Sequence, residues 1–322
     1  MEKEYISHIG GHITLFFTVE KEGRLLRNQG SRGVGLNIQH GVNVTLAIKQ
    51  KNANINDTTI SVTDLKGEQM LNSDIFYRGL IDDLVHAKLL DDHTSFDIAV
   101  SLELPTSQGF GMSAAGLIAV ALAFREYTKR GNLDQYYRIC HRIERQNGSG
   151  LGDVLGIYAG GVEIRLQPGA PGASGTSLGF KCKQPIILVW QPKESRHTSK
   201  YINDENWQTK ITKAGHKALN NIKNGPWNHS RWKDILDQSS NFCHESELIF
   251  ETERKRLLDN VRKIVRSLDL QSYVSIRLCM LGTSCVILPR RLDRMLSPDE
   301  LDLLHTKISE NDLESLISAI DS

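Results

Sequence analysis

The chain has 322 residues, enough for one large domain or two intermediate ones around a sizeable core. Its 39 Lys and Arg balance 38 Asp and Glu to a formal charge of +1, so no strong field draws it to nucleic acid or to a membrane surface. The longest apolar run, 116–124, is far too short to span a bilayer, and the charged start Met1-Glu2-Lys3-Glu4 has no signal-peptide core behind it.

In chain order, β-branched runs at 13–19, 42–50 and 58–65 read as strands, with 52–57 as a hairpin loop between the last two. A helix is expected over 74–90. The β-rich run 96–103 leads into a glycine-rich loop, 104–112, and then into a helix over 113–130. That helix is apolar on nearly all sides, which makes it central and buried. A helix over 133–146 follows, then a Pro/Gly-rich surface loop at 167–175 and a strand at 185–190. Helices are expected at 206–221, 232–242 and 246–268, strands at 274–280 and 285–288 around Gly282, and two closing helices at 298–309 and 311–320. Strands and helices are mixed rather than alternating, which favours α+β, with one lobe over 1–190 and a second over 191–322. The five cysteines are scattered, form no C-x-x-C pair, and argue against a disulfide framework or zinc knuckle; Cys243-His244 reads as structural, and the chain as cytoplasmic.

The loop carries the strongest chemical signal. A glycine-rich turn that empties into a helix N-terminus presents free N–H groups and a positive dipole end, a ready site for phosphate. Gly109 and Gly111 let a polyphosphate approach the backbone. A P-loop needs Lys then Ser or Thr after its last glycine, which is absent here, and Ala114 stands where a dinucleotide fingerprint needs its third glycine. Pro105, Gln108, Gly109, Phe110, Gly111, Met112, Ser113 and Ala114 are the candidate nucleotide-binding residues; the alternative is a plain turn with Ser113 as N-cap.

On the 133–146 helix the inward stripe is Leu133, Tyr136, Tyr137, Cys140, His141 and Glu144. A charge on a buried face must be paired or bind a metal. Glu144 is therefore either a metal ligand or the partner of an arginine such as Arg142 or Arg165. Asp153 ends a second glycine-rich loop, as a general base or as a helix cap. Kinase chemistry needs a cradle for the triphosphate, oxygen ligands for Mg²⁺ and a carboxylate beside the attacking hydroxyl. The loop, Ser113 with Glu144, and Asp153 could supply these parts.

The pattern Pro-x-x-x-Gly-x-Gly-x-Ser-Ala-Ala at 105–115 resembles the phosphate loop of the GHMP kinases. The resemblance implies that fold, with an N-terminal lobe like that of a ribosomal protein, and ATP as co-substrate. It also implies Ser113 and Glu144 as Mg²⁺ ligands, Asp153 as base, and Leu281-Gly282-Thr283-Ser284 as the third motif. With Gly11-His12-Ile13-Thr14, Gly30-Ser31-Arg32-Gly33-Val34-Gly35, Gly150-Leu151-Gly152-Asp153 and Gly160-Gly161-Val162-Glu163-Ile164-Arg165, the span 9–171 looks like the archaeal pantoate kinases. That family phosphorylates the 4-hydroxyl of pantoate with ATP on a route to coenzyme A. Gly10 departs from the family's usual proline. The first motif also lacks the lysine that mevalonate kinases carry, so Asp153 acts alone unless His12 helps.

Pantoate carries a carboxylate, which calls for an Arg fork or a hydroxyl cluster. Ser31, Arg32, His141, Arg165 and Thr198 are the candidate substrate contacts. Their plain alternatives are surface ion pairs for the arginines, a core histidine for His141 and a helix cap for Thr198. The adenine slot is expected near 44–62. Competing readings are a GHMP kinase for mevalonate, a mevalonate phosphate or homoserine, and a non-catalytic regulator on the same fold. The expected partner is a small molecule, with neither nucleic acid nor membrane; a homodimer is a family expectation.

Overall fold

The computed structural model describes residues 3–192 and 199–321. Two long strands organise the first half: β1 (Glu4–Phe17) and β2 (Gly33–Lys51) pair antiparallel along nearly their whole length. Both begin earlier than their β-branched runs suggest, because glycine-containing segments join the ladder. The register slips between Gly10 and His12, an irregularity of the kind that re-aims a side chain.

The other edge of β2 is shared. Its C-terminal half pairs with β4 (Thr94–Leu102), which pairs in parallel with β3 (Thr59–Thr63) across the helix α1 (Asp74–His86). Segment 52–57 is thus no hairpin loop, since β4 lies between the strands it connects. The N-terminal half of β2 pairs with β5 (Val162–Gln167), which pairs with β6 (Thr176–Phe180) across the expected Pro/Gly-rich loop.

Three helices connect β4 to β5. Helix α2 (Met112–Thr128) is buried along almost its whole length against β1 and β2. Helix α3 (Leu133–Asn147) starts in a capping box, Asn132 with Gln135, and ends at left-handed Gly148. The short α4 (Asp153–Ala159) returns the chain to β5.

The second half is built on an antiparallel sheet of β7 (Pro185–Trp190), β8 (Val274–Leu278), β9 (Ser284–Pro289) and β10 (Glu314–Ala319), in the order β10-β7-β9-β8. Its helices are the short α5 (Ser199–Ile202), α6 (Glu205–Ile222), α7 (Trp232–Glu245), α8 (Thr252–Ser267) and α9 (Pro298–Ser309). Two expectations change here. Strand β7 belongs to this sheet, so the chain leaves the first sheet before residue 185 rather than near 190. The last segment is a strand and not a helix. Leu313, Leu316, Ile317 and Ile320 are spaced as a helical stripe, but the open edge of β7 takes the backbone in register from Glu314↔Trp190 to Ala319↔Pro185.

All five cysteines are buried and reduced. Among the described residues, no helix is long and apolar enough to cross a membrane.

Candidate active site

The glycine-rich loop 104–112 folds as its glycines allow. Gly109 and Gly111 have φ of 79° and 69°, and Gly111 caps α2 without a side chain. Ser113 is therefore free of capping, and its hydroxyl donates to Glu144 Oε1 at 2.6 Å. The first amides of α2 have no intrahelical partner. From behind, Gly282 supports the loop so closely that a Cβ there would lie 2.0 Å from the Gln108 carbonyl oxygen. Gln108 itself is buried, bound by the Thr283 amide at 3.2 Å and by the Ser284 hydroxyl, and ties the loop to the second sheet.

Glu144 is the buried end of the α3 stripe. The arginines that could have paired with it are engaged elsewhere, Arg142 with Asp83 at 2.5 Å and Arg165 with Glu163 at 3.2 Å. Burial, reinforced by the charge of Asp153 and only partly offset by Ser113, Arg145 and Ser149, pushes its carboxyl up to about 8. A buried carboxylate beside two serine hydroxyls, with its charge only partly offset by Arg145, could hold a small hard cation.

Asp153 is the first residue of α4. Gly152 occupies the cap position, so the carboxylate is not spent on a helix end. It accepts instead from His12 Nδ1 at 2.8 Å, and a quarter of the side chain is exposed. Burial alone would raise its pKa. Hydrogen bonds from His12 and Thr14, with the charges of His12 and Arg165, outweigh that and hold it below the ordinary carboxylate range.

Behind Asp153, side chains from two strands meet across a third. His12 and Thr14 come from β1, Glu163 and Arg165 from β5, and β2 runs between them with Gly33 and Gly35. Thr14, Gly35 and Glu163 form one cross-strand row. A Cβ on Gly35 would lie 2.4 Å from His12 Nε2 and 2.6 Å from Glu163 Oε1. Arg165, buried, donates to the hydroxyls of Ser31 at 2.9 Å and Thr14 at 3.3 Å. Gly152 passes over this guanidinium, where a Cβ would lie 2.1 Å from Nη1.

Two clefts meet at this point. The larger, about 340 Å³, holds Pro105, Gly109, Gly111 and Ser113 and continues to an apolar end at Val62, Met70, Phe76 and Leu102. The smaller, about 40 Å³, is walled by Thr14, Ser31, Gly152, Arg165 and Leu281. Asp153 and Met280 line both.

The family model for the GHMP kinases N terminal domain matches residues 77–161. A pantoate kinase of Methanospirillum hungatei is 34% identical over 294 residues, 89% of this chain and 88% of that protein. A pantoate kinase of Methanocaldococcus jannaschii is 31% identical over 217 residues, 67% of this chain and 72% of that protein. The chain belongs to the pantoate kinase family. A solved structure described as a phosphotransferase related to the CoA biosynthesis pathway shares the fold with a TM-score of 0.76 at 23% identity, over 99% of this chain and 96% of that one. The chain thus has the α+β fold of the GHMP kinases.

Within this member of the pantoate kinase family, Ser113, Asp153, Ser31 and Arg165 line the two clefts, and Glu144 reaches the larger one through the Ser113 hydroxyl. Other expected residues do not. Gln108 and Ala114 are buried behind the loop, and neither lines a cleft. Arg32 follows Ser31 but lines neither cleft; its backbone amide donates to Thr18 and its Nε is buried without a hydrogen-bond partner. Thr198 lies outside the described residues. His141 faces the Gln29 carbonyl at 3.0 Å, beneath the turn that carries Ser31, because the α3 stripe aims it at the 26–29 segment rather than at a cleft.

Burial lowers the His141 pKa to about 4, against the pull of the Leu26 and Gln29 carbonyls. Its neutral form therefore stabilises the fold above the unfolded value near 6.5. That contribution, about 3 kcal/mol at most, is lost as pH falls from 6.5 toward 4. Urea unfolding at pH 7 and pH 4.5 is expected to show this loss in the native chain and much less of it in His141→Gln, which keeps a donor for Gln29. An equal loss in both would show that His141 is not the group responsible.

The apolar end of the large cleft includes Met70, Phe76 and Leu102, which the sequence reading missed. No periodic signal marks a segment as the wall of a slot. Glu163 was also missed, although Gly33-Val34-Gly35 inside a strand is the kind of signal that marks a close approach.

Proposed function

We infer that this chain transfers the γ-phosphoryl group of ATP to the 4-hydroxyl of pantoate, giving 4-phosphopantoate and ADP for coenzyme A biosynthesis. The observation that carries this reading is Asp153 standing where a large cleft with a phosphate loop meets a small polar one. The size difference supports the triphosphate in the large cleft and a small acceptor in the other. Membership of the pantoate kinase family supports pantoate as that acceptor.

In this reading the loop amides and the α2 dipole hold the phosphates. Ser113 and Glu144 would hold Mg²⁺, which supplies charge neutralisation at the β- and γ-phosphate oxygens when bound. Arg165 meets the pantoate carboxylate through its charge and through the Ser31 and Thr14 hydroxyls it fixes. Asp153, ionised across the physiological range, orients the 4-hydroxyl along the line of transfer and takes its proton late. A loose phosphoryl-transfer transition state asks for positioning more than for a strong base.

ADP release measured against pantoate, mevalonate and homoserine side by side tests the substrate. Pantoate is expected to give the highest kcat/KM, by about 100-fold or more, since a site built to pair a substrate polar group rejects analogues that leave it unpaired. Preference for either other acceptor would overturn the assignment.

A further inference from the structure

The first strand offers no lysine to the acceptor side, for none lies between Lys3 and Lys21. Of the two histidines on that strand, His8 is exposed beside Glu103, and His12 is the one beside Asp153. Its ring is fully buried, with Nδ1 2.8 Å from Asp153 Oδ1 and Nε2 3.0 Å from Glu163 Oε1. A neutral imidazole has one N–H and would turn a lone pair toward one of these acceptors; only the doubly protonated ring donates to both. The ring is boxed in place as well. A Cβ on Gly35 of β2 or on Gly156 of α4 would each lie 2.4 Å from Nε2, so both positions need glycine for the ring to fit.

The groups facing the ring form an alternating series. Asp153 comes from α4, His12 from β1, and Glu163 and Arg165 from β5, with Arg165 Nε 3.2 Å from the same Glu163 oxygen that His12 contacts. Glu144 of α3 adds a further carboxyl near Asp153, and the Thr14 hydroxyl is uncharged. With an imidazolium the four-membered series is neutral; with a neutral ring it would bury a net negative charge.

We propose that His12 is a fixed-charge positioning residue: an imidazolium clamped between Asp153 and Glu163 that orients Asp153 toward the acceptor hydroxyl and takes no proton during turnover. The inference rests on the assignment of Asp153 above. The direction of the His12 pKa agrees: burial lowers it, but the two carboxylates outweigh burial and raise it. During transfer the acceptor oxygen bonds to the γ-phosphorus as the bond to the bridging oxygen breaks, its electron pair leaving on ADP. The hydroxyl proton goes to Asp153 and out to solvent through the exposed part of that carboxylate. His12 cannot relay it, because both ring nitrogens are already protonated.

Nuclear magnetic resonance of the full chain labelled with ¹⁵N-histidine tests this without reference to activity. One histidine, absent from the His12→Gln spectrum, is expected to keep both ring nitrogens protonated from pH 6 to pH 8. Its titration should fall by a unit or more in Asp153→Asn, which keeps the fold observable if His12→Gln does not fold. A single neutral tautomer at pH 7 would overturn the proposal.

Kinetics supply the second reading. In His12→Gln, kcat is expected to fall about 10- to 100-fold, as loss of an outer partner of a site group commonly does. The acid limb of kcat at saturating ATP and Mg²⁺ should move to higher pH, while the KM for ATP holds. An unmoved acid limb would reduce His12 to a packing role. Failure of the Asp153 assignment itself shows differently, as near-native turnover in Asp153→Asn with the imidazolium still present.

Discussion

Replacing Asp153 with Asn is expected to lower kcat by about 10²- to 10⁴-fold while the fold and nucleotide affinity persist. Among the described residues the carboxylate is the one charged group shared by the two clefts, and it is held ionised by His12, Thr14 and Arg165. An amide of the same shape can still accept from His12 Nδ1, so the surrounding hydrogen bonds survive. It cannot take the acceptor proton, and its NH₂ would compete for the acceptor oxygen's lone pairs. The sign of the pH effect follows from the lowered pKa. At saturating ATP and Mg²⁺, kcat should not weaken until the pH falls below the ordinary carboxylate range, and that acid limb should vanish in the variant. Turnover within a few-fold of native in Asp153→Asn would remove the residue from the mechanism.

Glu144→Gln should separate activity from stability. Turnover is expected to fall about 10²- to 10³-fold, the usual cost of losing a preorganised electrostatic contact to the reacting phosphates. The fold should respond in the opposite direction. The native state holds this carboxyl protonated up to about 8, whereas an unfolded glutamate titrates near 4.5. Stability without nucleotide is therefore lost as pH rises from about 4.5 to 8, by up to a few kcal/mol. Glutamine keeps an acceptor for the Ser113 hydroxyl and has no proton to lose. At pH 8 the nucleotide-free variant is expected to melt several degrees above the native chain. A lower melting temperature together with lost activity would mean that Glu144 holds the fold instead of serving the phosphates.

Much of the site was legible before any coordinates. The candidate phosphate loop was visible because backbone access to a polyphosphate requires glycine at defined places before a helix. The α3 stripe was visible because helical periodicity fixes which residues share a face; Tyr136, Tyr137, Cys140, His141 and Glu144 are all buried as that count requires, while Leu133 at its start is exposed. Periodicity gives a direction but not a target. It placed His141 inside without distinguishing a cleft from the Gln29 carbonyl, and it gave Glu144 a choice of arginine partners that the fold assigns elsewhere.

The chain's own order of residues determined many of its strands and most of its helices, its glycine-rich loop and its family likeness, since all of these follow from local spacing. Tertiary structure alone decided the rest. The last segment became a strand because an unpaired edge of β7 was present to accept it. The pairing of Asp153 with His12, and of His12 with Glu163, spans 141 and 151 residues of sequence and exists because β1 and β5 flank a glycine-bearing stretch of β2. No local pattern encodes such a meeting; it depends on which strands become neighbours and on the space left where a side chain is missing.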